Sequence, residues 1–181
     1  MTSLRLMGLL LVLGLPTLAR GTSLPPQSLA ELTDQAERIV LARVVDQRVN
    51  VPKGDVRQMT TISRLEVLEE YRGKGPRAVE LVQLGGRSGP WESHLVGDAK
   101  LTAGEVALMF LRCPDPKAVE RCVLVGQGAG KHTVTAGAEG RREVQLTAEV
   151  KGGPVRRPLD EVLDEIRRAT PPPAQQERGK R

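Results

Sequence analysis

The period of the hydrophobic pattern changes several times along the chain, and each change marks an element. From Glu105 to Leu111 every residue after the glutamate is apolar, so a strand here is expected to be buried on both faces. A polar loop with two prolines, Pro114 to Arg121, leads to a second apolar run, Cys122 to Val125. Together they are expected to form a β-hairpin through the centre of a sheet. Upstream, Leu29, Leu32 and Ala36 share one face of a helix expected over Ser28–Arg38, and Ser28 with Glu31 has capping-box spacing. Ile39 to Val45 reads as the first strand, followed by a polar connection, Asp46 to Gly54, with Pro52 and Gly54 as turn signals. A long strand is expected over Val56–Tyr71. Thr61, Ser63, Leu65 and Val67 share one parity there and Leu68 breaks it, which predicts a bulge or a bend. After a turn at Arg72–Pro76, the strand Ala78–Leu84 is closed by Gly85-Gly86.

The stretch from Gly85 to Gly104 is the least regular, with Trp91–Val96 as a short candidate strand. A long irregular segment inside a compact domain is a common place for function and, just as often, a barrel crossover. Beyond the central hairpin, Gly126–Gly130 reads as a glycine bend and Lys131–Ala136 as a strand. From Glu143 to Lys151 the residues alternate, with Val144, Leu146, Ala148 and Val150 directed inward. A closing helix carries Leu159, Val162, Leu163 and Ile166 as an apolar stripe. Six or seven strands with a helix at each end predict a mainly β domain. A small closed antiparallel barrel is the first expectation, and a two-sheet sandwich the alternative. The divisions are a signal peptide (1–19), a linker (20–27), a single β-rich domain (28–169) and a basic, proline-containing tail expected to be disordered (170–181).

Export is expected because Arg5 precedes an apolar run, Leu6–Leu15, that Pro16 ends before small residues at Thr17–Ala19. The run is too short for a membrane span, so no insertion is expected after cleavage, and the location is periplasmic or extracellular. Export changes how charge is read. Of the formal net charge of +5, Arg5 and Arg20 supply two and the tail from Arg167 onward a net four, leaving the body near −1. With Tyr71, Trp91 and Phe110 as the whole aromatic set, neither a basic groove nor stacking platforms support a nucleic-acid partner. In an oxidising compartment Cys113 and Cys122, at the two feet of one loop, are expected to form a disulfide. Their spacing is far from that of a redox-active pair.

Candidate chemistry is sparse. Gly126-Gln-Gly-Ala-Gly-Lys131 evokes a phosphate loop, but Val125 stands at the first glycine position and His132 at the hydroxyl position. His94 and His132 are the only histidines, and no ligand spacing supports a metal site or any other cofactor. Ser88 lacks the nucleophile-elbow context, and the carboxylate pairs Glu69-Glu70 and Asp160-Glu161 look like solvated charge. A non-enzymatic binding or envelope-associated module is therefore the first functional reading, with Arg87, Trp91 and His94 as binding candidates and, for Trp91, plugging of the barrel end as the competing role. The alternatives are a small hydrolase or lyase using His94 with Asp98 and Arg87, or a purely structural envelope protein. His94 with His132 near a carboxylate would favour the enzyme.

The order of these features resembles an uncharacterised family of small exported bacterial proteins. Gly85-Gly86, Gly104-Glu105, Phe110-Leu111, and Gln127-Gly128 with Lys131 match that pattern, and Ala129-Gly130 lengthens its last segment. The resemblance covers most of Ser28–Ala169 and implies a fold and a location but no activity. The strand pattern is similar, more loosely, to OB-like barrels of the metalloproteinase-inhibitor and netrin-like kind. Those inhibitors chelate zinc through a mature N-terminal cysteine. The expected mature N-termini here are Arg20 or Thr22, so that mechanism does not transfer.

Overall fold

A computed structural model describes residues 27–146 and 155–170. The expected signal peptide, residues 20–26 of the linker, the inward positions Ala148 and Val150, and residues 171–181 of the tail lie outside the described residues. Within them the chain is mainly β, with nine strands in one sheet and two helices.

The capping box starts helix α1 (Leu29–Gln35). The Ser28 amide donates to the Glu31 carboxylate (2.8 Å), and the Glu31 amide donates back to Ser28 Oγ (3.3 Å). The helix is shorter than expected: Ala36 is already extended, and strand β1 (Arg38–Asn50) begins at Arg38. β1 is also longer than its apolar run. Asp46 to Asn50, expected as a connection, pair with strand β2 (Thr60–Arg72), and the turn shrinks to Pro52–Gly54. Val56–Gln58, expected in the strand, forms a second short turn in which the Asp55 side chain caps the Arg57 amide.

The bulge at Leu68 is present. Leu41 faces Glu69 and Ala42 faces Val67, so Leu68 is the extra residue. Two further register shifts, beside Tyr71 and Val45, bend the same ribbon. Strand β3 (Ala78–Ser88) runs through Gly85-Gly86 instead of ending there, and turns back as strand β4 (Trp91–His94). Strands β5 (Val106–Arg112) and β6 (Arg121–Leu124) form the central hairpin. Strands β7 (Lys131–Ala136), β8 (Arg142–Leu146) and β9 (Val155–Pro158) follow, and helix α2 (Leu159–Ala169) ends the described chain. β9 carried no hydrophobic signal, since its sequence is Val-Arg-Arg-Pro.

β5 is the pivot. One edge pairs with β1; the other pairs with β6 at Leu111–Arg112 and with β7 at Ala107–Met109. The ladder therefore passes from β1 through β2, β3, β6 and β5 back to β1, with β3–β6 the one parallel pairing in that circuit. Both faces of β5 are buried, as its composition requires. Ala107, Met109 and Leu111 join Val40, Ala42, Val44, Leu65, Val79 and Leu81 inside the circuit. Leu108 and Phe110 join Ile39, Leu41 and the buried stripes of α1 and α2 outside it. Each such fully buried Leu or Phe contributes about 1.5–3 kcal/mol, so the two cores hold the sheet from both sides.

Cys113 and Cys122 are disulfide-bonded on the rung next to Arg112–Val123, with Cα atoms 4.1 Å apart, just below the short end of the usual span. Because the strands bury the apolar surface themselves, replacing both cysteines by serine should leave the far-UV circular dichroism unchanged. Stability should fall by about 2.5 kcal/mol, the loop-closure entropy of so short a ring, and Tm by about 8 °C. An unchanged Tm would show that the bridge restrains nothing the strands do not.

Candidate functional site

Inward positions of β1, β2 and β3 are apolar around the middle of the circuit and polar towards one end. Ser63 is fully buried and its Oγ accepts from Gln47 Nε2 (2.9 Å). Beyond it, Thr61 and Gln83 pair across β2–β3. Polar side chains here keep this end from closing as a dry core and leave donors and acceptors facing a groove.

Gly85 and Gly86 shape the other wall. Both have positive φ (91° and 150°), and a Cβ at Gly85 would overlap the Ser93 carbonyl. A Cβ at Gly86 would press on Thr61 and Val49. The two glycines thus allow the β3–β4 hairpin to fold close over the polar end. The groove between them has a volume of about 480 Å³, and its lining includes Gln47, Thr61, Gln83, His94, Asp98 and Lys100.

The segment after β4 forms the third wall and is anchored from several sides. Gln83 Nε2 donates to the Ala99 carbonyl (2.8 Å), and the Gly128 amide donates to the Gly97 carbonyl (2.9 Å). Lys131 Nζ donates to the Lys100 carbonyl (3.1 Å) and is ion-paired with Glu105. Glu105 also accepts from Thr133 Oγ1 (2.7 Å) and from the Thr102 amide (3.2 Å). The glycine-lysine segment therefore has structural work. Gln127–Gly130 forms a short turn between β6 and β7, and a backbone amide that a phosphate loop would offer to a ligand holds this segment instead.

The expected site residues divide between the two sides of the hairpin. Arg87 lies on β3 opposite Glu92 and binds its carboxylate (2.6 Å); this bond, with smaller help from His94 and Lys100, holds Glu92 below the usual carboxylate range. His94 ends β4 opposite Gly85, so Arg87, His94 and Asp98 all line the one groove. Asp98 Oδ1 accepts from the Ala99 amide (2.9 Å), and no hydrogen bond among the described residues joins His94 to a carboxylate. Trp91 is 60% exposed at the start of β4, so it does not plug the end of the circuit. His132 is elsewhere: buried on β7, edge-on to Phe110 at 5.7 Å between ring centroids. The two histidines do not share a site. Among the described residues no group of three or more His, Cys, Asp or Glu is placed to hold a metal ion.

No family model matches the chain, and no curated protein matches it. The groove residues that sequence reasoning missed include Gln47, Thr61 and Gln83 on the strands and Lys100 in the third wall. On the strands the signal was polarity at inward positions: Thr61 and Ser63 share the parity of Leu65, and Gln83 that of Val79 and Leu81.

Proposed function

We propose that this protein is an exported, non-enzymatic binding module built on a small OB-like barrel, docking an exported protein or envelope component through the β3–β4 hairpin. The strand circuit β1–β2–β3–β6–β5–β1, with its interior apolar cluster, supports the barrel. Export draws support from the Cys113–Cys122 disulfide, which fits an oxidising compartment, together with the N-terminal sequence pattern. No described helix is long and apolar enough to cross a membrane. The resemblance to small exported bacterial proteins points the same way.

The observation that carries the binding reading is where apolar surface is left uncovered. Of the eight large hydrophobic side chains exposed among the described residues, Leu84, Trp91, Leu95 and Val96 fall within this one short stretch. Exposed apolar side chains gathered beside a polar groove are the usual make-up of a recognition surface, and a Trp can supply much of its energy. Removing such an anchor costs about 2 kcal/mol or more, roughly thirtyfold in affinity. Trp91→Ala should therefore deplete partners recovered from envelope extract by about that factor, at unchanged Tm. Equal recovery would remove Trp91 from the interface and leave the hairpin without its anchor.

A hydrolytic or lyase reading has one observation in its favour, the shared groove of Arg87, His94 and Asp98. It is the weaker reading because the Arg87 guanidinium is engaged by Glu92 and Asp98 by its neighbouring amide.

A further inference from the structure

Among the described residues two strands have a neighbour on one side only, β4 and β9. A free edge offers unpaired backbone groups to another strand unless charges or proline discourage it. β9, Val-Arg-Arg-Pro, carries that protection. β4, Trp-Glu-Ser-His, contains no lysine, arginine or proline, and all four residues are exposed.

We propose that β4 pairs with β4 of a second copy of this chain, antiparallel about Ser93, to form a two-fold symmetric dimer. The choice of occupant follows from the sequence of the edge read against itself. With Ser93 opposite the partner's Ser93, Glu92 lies opposite the partner's His94, and Trp91 opposite the partner's Leu95. Each match occurs twice, as a two-fold interface requires. Carboxylate meets imidazole, and large apolar meets large apolar, both favourable cross-strand pairs. Alternation separates them: within β4 Trp91 and Ser93 share one face and Glu92 and His94 the other, and Leu95, the residue after the strand, would continue the first face as the pairing extends past His94. Within the chain Arg87 is already opposite Glu92. The charged row across the interface therefore reads Arg87, Glu92, the partner's His94, with the carboxylate flanked by donors on both sides. A shift of one residue would set Glu92 against serine and Trp91 against histidine, losing both matches.

The pairing also joins two copies of the apolar face, setting Trp91 and Leu95 beside the partner's Leu95 and the partner's Trp91. The inference goes beyond the binding role: the dimer forms without any other protein, and because it covers the same Trp91 face, an envelope partner would compete with it.

Sedimentation of the purified protein over a range of concentrations tests it. A reversible monomer–dimer equilibrium is expected. His94→Glu would place two carboxylates opposite each other in both matches and should weaken the dimer about tenfold or more. In a parallel test, Ser93→Cys should give a disulfide-linked dimer under mild oxidation, whereas Ser88→Cys, on β3 away from the free edge, should not. Ser93→Cys reads the same register without changing any charge, so it decides the matter where His94→Glu disturbs the hairpin. Monomer at every concentration, or a dimer neither weakened by His94→Glu nor linked through Ser93→Cys, overturns it.

Discussion

Lys131→Met and Glu105→Gln should each destabilise the protein by about 2–4 kcal/mol, near the lower part of the range for breaking a buried ion pair. Both side chains are largely withdrawn from water, at 13% and 14% exposure. Neither variant leaves its partner neutral and solvated. Lys131→Met leaves the Glu105 carboxylate with only the Thr133 hydroxyl and the Thr102 amide. Glu105→Gln takes from the ammonium beside the Lys100 carbonyl the carboxylate with which it is ion-paired. The double variant removes both charges together, so its cost should be well below the sum of the two. Lys131 also fastens the segment that walls the groove, so amide exchange at residues 97–102 should speed up in Lys131→Met before the core strands respond. Additive costs, or unchanged exchange there, would show that the pair neither acts as a unit nor holds the wall.

The hydrophobic pattern made most of this fold legible because burial here follows local periodicity. The two-faced run at β5, the helical stripes Leu29–Leu32 and Leu159–Val162–Leu163–Ile166, and the parity break at Leu68 all became the features they announced, while Ala36 is buried but already extended. The ends of β1 and β3 were not legible. Residues Asp46–Asn50 are exposed on both faces and, Val49 apart, polar because they project beyond the core, and only their ladder to β2 makes them a strand. Gly85-Gly86 is a stop signal in most strands; here it is a bend within one, since the β4 backbone approaches too closely for a side chain. β9 has no apolar face to report, and its partner β8 supplies the reason it is extended. Of the site, Arg87, His94 and Asp98 could be named because unusual residue types stood in an irregular stretch. Gln47, Thr61 and Gln83 come from three strands, and nothing local in the chain announces that they meet.

Lowering the pH should destabilise the protein through His132, and the sign follows from where that imidazole sits. It is 2% exposed, opposite Leu108 in the ladder and edge-on to Phe110. Burial, with the adjacent Lys131 charge adding to it, pushes His132 down to about 4 from the ordinary 6.5. Between those values the unfolded chain binds a proton that the folded chain refuses, so stability falls as pH falls. The contribution is fully present above about pH 6.5 and is lost progressively down to about pH 4. Below that the folded form also takes the proton and the loss levels off. The span corresponds to about 3 kcal/mol. Carboxylates held low in the folded state, such as Glu69 bonded to Arg142, add their own loss at more acidic pH, so the wild-type curve alone is ambiguous. The measurement is therefore a difference: denaturant midpoints of the wild type and His132→Leu from pH 7.5 to 4. Whatever constant offset the repacking introduces, the wild type should lose stability relative to the variant across that window. A difference that stays flat, or that grows in favour of the wild type on acidification, would mean that His132 already carries its proton in the folded core.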